Sequence, residues 1–305
     1  MAGRKTFLII DANSVIHRAF HALPELTDKL GEPAQAVYGF ALAFLHIAKE
    51  LAPDYIAACF DTKKPTFRHK EFAGYKAQRP ATPASLVVQF PKVMELLKGF
   101  GVKTFVLEGF EADDLIATVA KKAGEASGEI EICVLTGDYD SLQLVNGMVR
   151  VYLVTHGVKN AVIYDSKTVN EKFGVGPDQI AAFKALAGDP SDNIPGAPGI
   201  GKKTAADLLK QYGNIETIYR ALESQEFKGS DKLKETLVAS KKKVMAFENL
   251  TRLVDDAPID FDLAGCEFGG LRGEAPRQAL EGFGFVSLAK RLSGAEEKCV
   301  TRSLF

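Results

Sequence analysis

Short apolar runs alternate with helical patterns along the first half of the chain. The runs read TFLIID, YIAACFD, TFVLEG, EICVLTGD and VRVYLV, and segments with apolar residues at helical spacing separate most of them. Strands that alternate with helices are typical of a largely parallel sheet covered by helices. The pattern therefore predicts an α/β fold with a mostly parallel central sheet flanked by helices.

Acidic residues stand where these runs end. Asp11 ends the first run, Asp61 the second and Asp138 the fourth, while Glu111 follows the third after a short turn. Ligands of open α/β sheets bind beyond the carboxyl ends of the strands, so these acids should converge at one edge. A helix cap would explain a single acid of this kind but not the whole set, to which three more belong: Asp113, Asp114 and Asp140.

Carboxylates at such a density need cations, because each close pair repels by about 4 kcal/mol at an effective dielectric constant of about 20. Oxygen ligands without His or Cys favour Mg²⁺ or Mn²⁺. Two such ions that clamp the attacking and leaving oxygens are a recurrent solution for phosphodiester hydrolysis. The sequence therefore predicts metal ligands at the carboxyl edge of the sheet.

The net charge of −1 says little about partners, but the charge is unevenly distributed. The segment TKKPTFRHKEFAGYKAQR (62–79) holds six Lys or Arg and one acid, with Phe67, Phe72 and Tyr75 among them. Basic residues mixed with aromatic rings are typical of surfaces that hold phosphates and stack bases. This segment is the first candidate for contact with nucleic acid.

After about residue 170 the strand pattern fades and helical patterns dominate. PGIGKKTAADLLKQYG predicts a tight hairpin between two helices, in which Gly199 and Gly201 let a DNA phosphate approach the backbone. Lys202 and Lys203 add charge to this hairpin, which extends to Thr204. Asp189 and Asp192, in GDPSDNIPG, read as turn residues when this segment is taken alone.

Composition and cysteine spacing exclude several other classes of protein. The chain has 305 residues, of which 46% are hydrophobic, enough for one large or two modest domains. It shows no apolar run of membrane-spanning length and no signal-peptide pattern at its start. Its four cysteines lie far apart, so a disulfide framework or a zinc site is not expected, and Cys59 and Cys133 read as buried thiols.

Taken together, these segments resemble the 5′-nuclease domain of bacterial DNA polymerase I, within the wider flap-endonuclease family. The matching pieces are LIIDANSVIHRAFHALP, GEPAQAVYGF, FDTKKPTFRHKEFAGYKAQRP, EGFEADDLIAT, LTGDYDSLQLV and GDPSDNIPGAPGIGKKTA, in the order of the family. The resemblance implies a PIN-like nuclease core at residues 1–170 with a helical arch at about 62–90. A helical DNA-binding domain at 171–290, with a helix-hairpin-helix motif at about 186–213, and a tail at 291–305 would follow.

The resemblance also implies an activity. The expected protein is a divalent-metal-dependent 5′-3′ exonuclease and 5′-flap endonuclease that acts on DNA in primer removal and repair. It would use two or more Mg²⁺ ions, with Mn²⁺ as a substitute. Its partner would be flapped, nicked or branched DNA, with an RNA primer as a further substrate, and we expect a monomer in the bacterial cytosol, away from membranes.

Residue roles follow from the resemblance by motif match. The first metal would be held by Asp11, Asp61, Glu111 and Asp113, and the second by Asp138, Asp140 and Asp192, with Asp114 and Asp189 in supporting positions. Two arch residues, Arg68 and Lys76, would contact the scissile phosphate as catalytic residues. The expected substrate-binding residues are Arg18, Tyr75, Arg79, Gly199, Gly201, Lys202, Lys203 and Thr204.

Two other functions stay open on the sequence. A non-catalytic module that binds branched DNA would need no carboxylate array. A single-metal phosphohydrolase with an aspartate nucleophile would want D-x-D at the first strand end, where this chain has DAN. The sequence also leaves open whether the chain is a stand-alone nuclease or part of a longer polymerase, and how it divides exonuclease from endonuclease cleavage.

Overall fold

The computed structural model describes residues 4–154 and 161–292. Its centre is a six-stranded sheet in the order β3-β2-β1-β4-β5-β6. The strands are β1 (Lys5–Asp11), β2 (Tyr55–Phe60), β3 (Lys103–Val106), β4 (Ile130–Thr136), β5 (Val149–Leu153) and β6 (Val162–Tyr164). The first five pair in parallel and β6 pairs antiparallel to β5. The predicted mostly parallel α/β fold is confirmed.

Helices cover both faces of the sheet and form most of the second half of the chain. In the first half they are α1 (Ala12–Ala22), α2 (Gln35–Leu51), α3 (Phe67–Glu71), α4 (Ala84–Val87), α5 (Gln89–Gly99) and α6 (Ala112–Ala126). In the second half they are α7 (Ser166–Phe173), α8 (Ile180–Ala187), α9 (Lys202–Tyr212), α10 (Ile215–Glu223), α11 (Asp231–Thr251), α12 (Glu274–Gly282) and α13 (Val286–Leu292). Short 3₁₀ helices lie at Asp140–Leu144, Pro177–Gln179 and Ala264–Cys266.

Strand β1 lies in the middle of the sheet and is buried on both faces. Its side chains alternate, so that Phe7 and Ile9 belong to the core on one face and Leu8 and Ile10 to the core on the other. A strand buried on both faces reads as a continuous apolar run, which is why TFLII carries no polar alternation.

The two faces of the sheet carry different helices. The core on one face combines α6 with the helical unit, which we define as α8–α11 (residues 180–251). The core on the other face combines α1, α2 and α5 with α12 and α13. The helical unit therefore packs on the same side of the sheet as the helix that begins at Glu111, and this packing brings its loops to the carboxyl edge.

The last helices return to the nuclease core. The backbone N–H of Phe268 donates to the carbonyl of Asp54 at 2.8 Å, and Phe285 packs edge-on against Tyr38. A side chain at Gly99 would meet Ala279, so the glycine permits close packing of α5 against α12. The domain limits 1–170 and 171–290 stay a prediction, but residues 264–292 pack against the sheet domain; the predicted tail lies, from residue 293, outside the described residues.

The strand order places the predicted ligands. From β1 the chain moves outward through β2 to β3, and it then returns to the other side of β1 as β4. Such a reversal opens a crevice at the carboxyl ends of β1 and β4. Asp11 ends β1 and Asp138 follows β4 by two residues, so both border this crevice. Among the residues that the structure describes, no helix is both long and apolar enough to span a membrane.

Candidate active site

Asp11 lies at the carboxyl edge of the sheet, where β1 passes into α1. Its Oδ1 accepts from the N–H of Ser14 at 3.0 Å, which caps the helix, and its Oδ2 accepts from Thr136 Oγ1 at 2.6 Å. Burial raises the pKa of Asp11 to about 7, because it outweighs these two hydrogen bonds, and the charges of Asp61 and Asp138 add to the rise. A carboxylate held this way favours an added cation.

Asp113 and Asp61 stand close to it on the neighbouring elements. Asp113 Oδ1 accepts from Ser141 Oγ at 3.0 Å, and Asp61 Oδ1 accepts from the N–H of Ala112 at 2.7 Å. Burial raises the pKa of Asp113 well above its usual range, and the negative charge of Asp11 is the next cause. Carboxylates from β1, β2 and α6 therefore share one electrostatic environment.

The start of α6 serves the fold as well as the site. Glu111 is its N-cap, and its N–H donates to Asp114 Oδ2 at 3.1 Å in a capping box. Asp114 is completely buried. The helix cap thus fixes the backbone between Glu111 and Asp114, which directs the Asp113 side chain to Ser141.

A second group of acids combines residues from a 3₁₀ helix and from the loop after α8. Among the described residues, Asp140, Asp189 and Asp192 alone bring three potential ligand atoms within 4.8 Å of one another. Asp140 begins a 3₁₀ helix, and its N–H donates to Asp138 Oδ1 at 3.0 Å. Asp189 and Asp192 lie in the loop between α8 and α9, which a bridge between Asp189 and Ile194 closes. Asp189, predicted as a supporting residue, thus lies in one group with Asp140 and Asp192, which are predicted as ligands.

The segment 72–79 of the predicted arch lies against these acids. The Tyr75 hydroxyl is 3.0 Å from Glu111 Oε2 and 3.1 Å from Asp192 Oδ2. Lys76 Nζ lies 2.9 Å from Glu111 Oε2, and Arg79 Nη2 lies 2.9 Å from Asp192 Oδ1. Tyr75, Lys76 and Arg79, which the family resemblance predicts to contact the substrate, therefore contact predicted ligands. Within the predicted arch at about 62–90 the structure has the short helices α3 and α4 and the start of α5 at Gln89.

Arg68 is a buried residue of the predicted arch. It is 2% exposed, and its guanidinium forms a bidentate pair with Asp114 through two hydrogen bonds of 2.7 Å. It also donates to the carbonyls of Leu250 at 2.8 Å and Arg252 at 3.0 Å, at the end of α11. Its Nη1 also lies 3.7 Å from Glu111 Oε2, so the guanidinium contacts a predicted ligand, and its predicted role at the scissile phosphate stays a prediction. This geometry ties the base of the arch to α6 and to the helical unit.

Sequence reasoning missed Lys184. Its ammonium contacts Asp140 and lies 2.6 Å from Asp189 Oδ2, and the side chain is 12% exposed. Burial alone would raise the pKa of Asp189, but Lys184 and Ser191 hold it below its usual range. The sequence does carry a signal for it, because Lys184 is the one charged residue of the apolar helix IAAFKALA.

The remaining predicted substrate-binding residues lie at the start of α9 and, for Arg18, on α1. Gly199 has φ 74°, which favours glycine, whereas Gly201 has φ −88° and serves as N-cap of α9. Lys202 and Lys203 are exposed on the first turn of that helix, with the half-buried Thr204 after them. The helix-hairpin-helix assignment stays a prediction. Arg18 Nη2 donates to the carbonyl of Gly137 at 2.7 Å, beside Asp138, so Arg18 borders the acidic edge.

Comparison with known families agrees with this geometry. The model of the 5′-3′ exonuclease N-terminal resolvase-like domain matches residues 6–174, and that of the 5′-3′ exonuclease C-terminal SAM fold matches residues 175–274. The chain belongs to the 5′-3′ exonuclease family. It is 39% identical to DNA polymerase I of Bacillus subtilis over 292 residues, which cover 96% of this chain and 33% of that protein. The chain thus spans about a third of the curated relatives that it matches.

Solved structures show the same fold at low sequence identity. The D15 protein of bacteriophage T5, crystallized with metal ions, is 20% identical, with a TM-score of 0.68 over 96% of this chain and 100% of that one. The catalytic core of Rad2 in complex with DNA substrate is 17% identical, with a TM-score of 0.60 over 95% of this chain and 91% of that one. These likenesses extend across both the sheet and the helical unit.

Proposed function

We propose that this 5′-3′ exonuclease family member is a structure-specific nuclease that removes 5′ flaps and trims the 5′ ends of DNA duplexes. The convergence at one sheet edge of carboxylates from the ends of β1, β2 and β4, from the start of α6 and from the loop after α8 carries this proposal. Primer removal and repair, with an RNA primer as a further substrate, are the processes that such cleavage would serve. A monomer in the bacterial cytosol stays our expectation.

The residues at the edge fit divalent cations. Every candidate ligand is a carboxylate, which suits Mg²⁺, or Mn²⁺ as a substitute. Burial, with a further contribution from neighbouring carboxylates, raises the pKa of Asp11 and of Asp113, so a cation that balances their charge would be favoured there. When bound, two ions would activate a water molecule and stabilise charge on the phosphate. The proposed ligands are Asp11, Asp61, Glu111, Asp113, Asp138, Asp140, Asp189 and Asp192.

The chain's own cations divide into two proposed roles. Lys76, which is partly exposed beside Glu111, would meet a phosphate at the ligands and stabilise the charge that develops there. Arg79 and Tyr75 would hold the strand that passes over Asp192. Arg68 is assigned a positioning role instead of the predicted catalytic one, because Asp114 and two backbone carbonyls take up its donors.

DNA duplex would be held by the α9 hairpin, by which we mean the predicted hairpin at Gly199–Thr204 together with the first turn of α9. Backbone N–H groups at a helix N-terminus and exposed lysines favour phosphates and carry no sequence information. Lys202 and Lys203 are exposed there, and apart from the adjoining residues no heavy atom of the described chain lies within 4 Å of where a Cβ at Gly199 or Gly201 would stand. A backbone could therefore approach closely.

The proposal is tested with a 5′-end-labelled flap duplex. Wild-type protein should release the flap in Mg²⁺ and leave it intact in EDTA, and a single strand of the same sequence should be cut far more slowly. A matched substrate with an RNA 5′ segment tests the primer. Equal cleavage of the single strand, or none of the flap at saturating Mg²⁺, would show that the chain does not have this activity.

A further inference from the structure

Lys184 is an unusual residue for its helix. Helix α8 reads IAAFKALA, and most of its side chains belong to the core between the sheet and the helical unit. A long cationic side chain that is 12% exposed needs an anionic partner, because burial of an unpaired ammonium is unfavourable. Asp140 and Asp189 supply that charge, one from the sheet domain and one from the loop after α8.

The oxygen atoms that face Lys184 belong to the candidate metal group. Asp140 Oδ1 and Asp189 Oδ2 are buried, and neither accepts a hydrogen bond from the described residues. The ion pairs with Lys184 are the compensation that the structure shows for both. Asp140 and Asp189 also form, with Asp192, the group whose ligand atoms lie within 4.8 Å of one another.

An ammonium and a divalent cation cannot both take the same carboxylate oxygens at close range, and they repel each other. Three carboxylates carry a charge of −3; Lys184 offsets one of these charges at Asp140 and Asp189, and Arg79, 2.9 Å from Asp192 Oδ1, offsets another before any ion binds. The other acidic group differs in degree: the hydroxyls of Thr136 and Ser141 contact Asp11 and Asp113, and Lys76 pairs with Glu111 alone among the proposed ligands of that ion. Lys184 therefore competes with a metal ion for the Asp140–Asp189–Asp192 group more strongly than the neutral hydroxyls compete for Asp11 and Asp113.

We propose that Lys184 is a built-in counterion of the Asp140–Asp189–Asp192 group, which holds Asp140 and Asp189 together and lowers the affinity of that group for its divalent cation. The inference rests on the proposed function. Lys184 is a positioning residue, since it acts through the carboxylates and not on the substrate. Its consequence is unequal binding, in which the ion at Asp11 and Asp113 binds first and the ion beside Lys184 binds last.

The test is a Mn²⁺ titration of the full chain without DNA. Binding is monitored by calorimetry and by the spectroscopic signal of free Mn²⁺. Wild-type protein should bind one ion tightly and another weakly. Lys184→Met should bind the weaker ion about tenfold more tightly or better, a size that matches the pKa effect of one to three units from a charge at this distance. Lys184→Arg keeps the charge and should behave like wild type. Lys210→Met removes an exposed lysine of α9 and is the matched control.

Thermal unfolding supplies a second measurement. In EDTA, Lys184→Met should unfold at a lower temperature than wild type, because Asp140 and Asp189 then repel each other. Saturating Mn²⁺ should restore the melting temperature of the variant. The rise in melting temperature on adding metal should therefore be larger for Lys184→Met than for wild type. A Lys184→Met protein that binds the weaker ion no better than wild type, or that stays unfolded in saturating Mn²⁺, would overturn the inference.

Cleavage of the flap duplex by wild-type protein is measured separately. Two unequal Mn²⁺ sites without cleavage would leave the inference standing and remove the proposed function. Cleavage by a protein whose two Mn²⁺ sites have equal affinities, both unchanged by Lys184→Met, would leave the proposed function standing and remove the inference.

Discussion

The carboxyl edge of the sheet has two halves that the chain treats differently. In the hydroxyl-bonded half, Asp11 and Asp113 accept hydrogen bonds from the hydroxyls of Thr136 and Ser141. In the cation-paired half, Lys and Arg side chains contact the acids. These pairs are Lys76 with Glu111, Arg79 with Asp192, and Lys184 with Asp140 and Asp189. Neutral donors orient a carboxylate but leave its charge unbalanced, whereas a cation orients the carboxylate and also offsets its charge.

The pKa values follow this division. Burial raises the pKa of Asp11 to about 7, whereas Lys184 holds that of Asp189 below its usual range. Asp192 is the exception, because burial raises its pKa although Lys76 and Arg79 lower it. The comparison teaches that one half depends on an added cation for its charge balance, while the other is largely balanced by the chain itself.

The largest expected effect lies in the hydroxyl-bonded half. Asp113→Asn keeps the size of the side chain but removes a charge that no described Lys or Arg is paired with directly. Single-turnover cleavage of the flap duplex in Mg²⁺ should fall by about 10³-fold or more, while DNA binding in Ca²⁺ survives. Asp207→Asn, an exposed acid on α9, is the control. Near wild-type cleavage by Asp113→Asn would contradict the assignment.

Arg68 tests whether every cation near the acids serves the chemistry. Arg68→Met leaves the completely buried Asp114 without its bidentate partner, so the free energy of unfolding should fall by about 3–5 kcal/mol. Denaturant titration measures this, with the exposed Lys70→Met on the same helix as control. Adding Asp114→Leu should recover part of the loss. Unchanged stability with slow single-turnover cleavage would return Arg68 to the catalytic role that the sequence predicts.

Lys76 should act on the rate and not on stability. Lys76→Ala removes the cation beside Glu111, and the single-turnover rate should fall by about 10²-fold, the size expected for one electrostatic stabiliser. Its affinity for the flap duplex should change much less. The exposed Lys63→Ala, earlier in the same basic segment, is the matched control. A change confined to the dissociation constant would assign Lys76 to steering of the DNA.

The smallest effect on chemistry is expected at the α9 hairpin. Lys202→Ala with Lys203→Ala should weaken flap binding equally for unrelated duplex sequences and flatten the salt dependence of log K by up to about 2 units, since each phosphate contact contributes about 0.9. Turnover of bound substrate should stay near wild type. Binding is measured at several salt concentrations. An unchanged salt slope together with slower single-turnover cleavage would place the hairpin at the metal centre instead.

The sequence predicts the acids of the strand ends well, because a parallel sheet aligns its carboxyl ends whatever the helices do. Asp11, Asp61 and Asp138 illustrate this: each follows an apolar run, and the runs became β1, β2 and β4. Family resemblance was needed for Asp189 and Asp192, which look like ordinary turn residues in the sequence. Their place at the edge depends on how α8 packs against α11 and the sheet.

The cations were harder to predict, since their partners lie far away in the sequence. Arg68 pairs with Asp114 and with carbonyls near residue 250, and only tertiary packing brings these together. The antiparallel β6 and the return of α12 and α13 to the sheet domain depend on long-range contacts in the same way. Lys184 stands out in the sequence as a charged residue in an apolar helix, but the sequence does not indicate which residues it pairs with.

The division into halves has a pH dependence with a definite sign. Because the pKa of Asp11 rises from 3.8 to about 7 on folding, the folded protein binds a proton in that window that the unfolded chain does not. The stability of EDTA-treated protein should therefore fall as the pH rises from about 4 to about 7. A bound ion displaces this proton, so metal affinity should rise over the same window and level off above it.

The most direct test of this account is the number of protons that each metal ion releases. Mn²⁺ binding is measured calorimetrically at pH 7 in two buffers of different ionisation enthalpy, and again well above pH 7. The account predicts that the tight phase releases a measurable fraction of a proton at pH 7 and less at the higher pH. The weak phase should release less than the tight phase. Equal proton release in both phases, or release confined to the weak one, would contradict a metal centre built from two unequal halves.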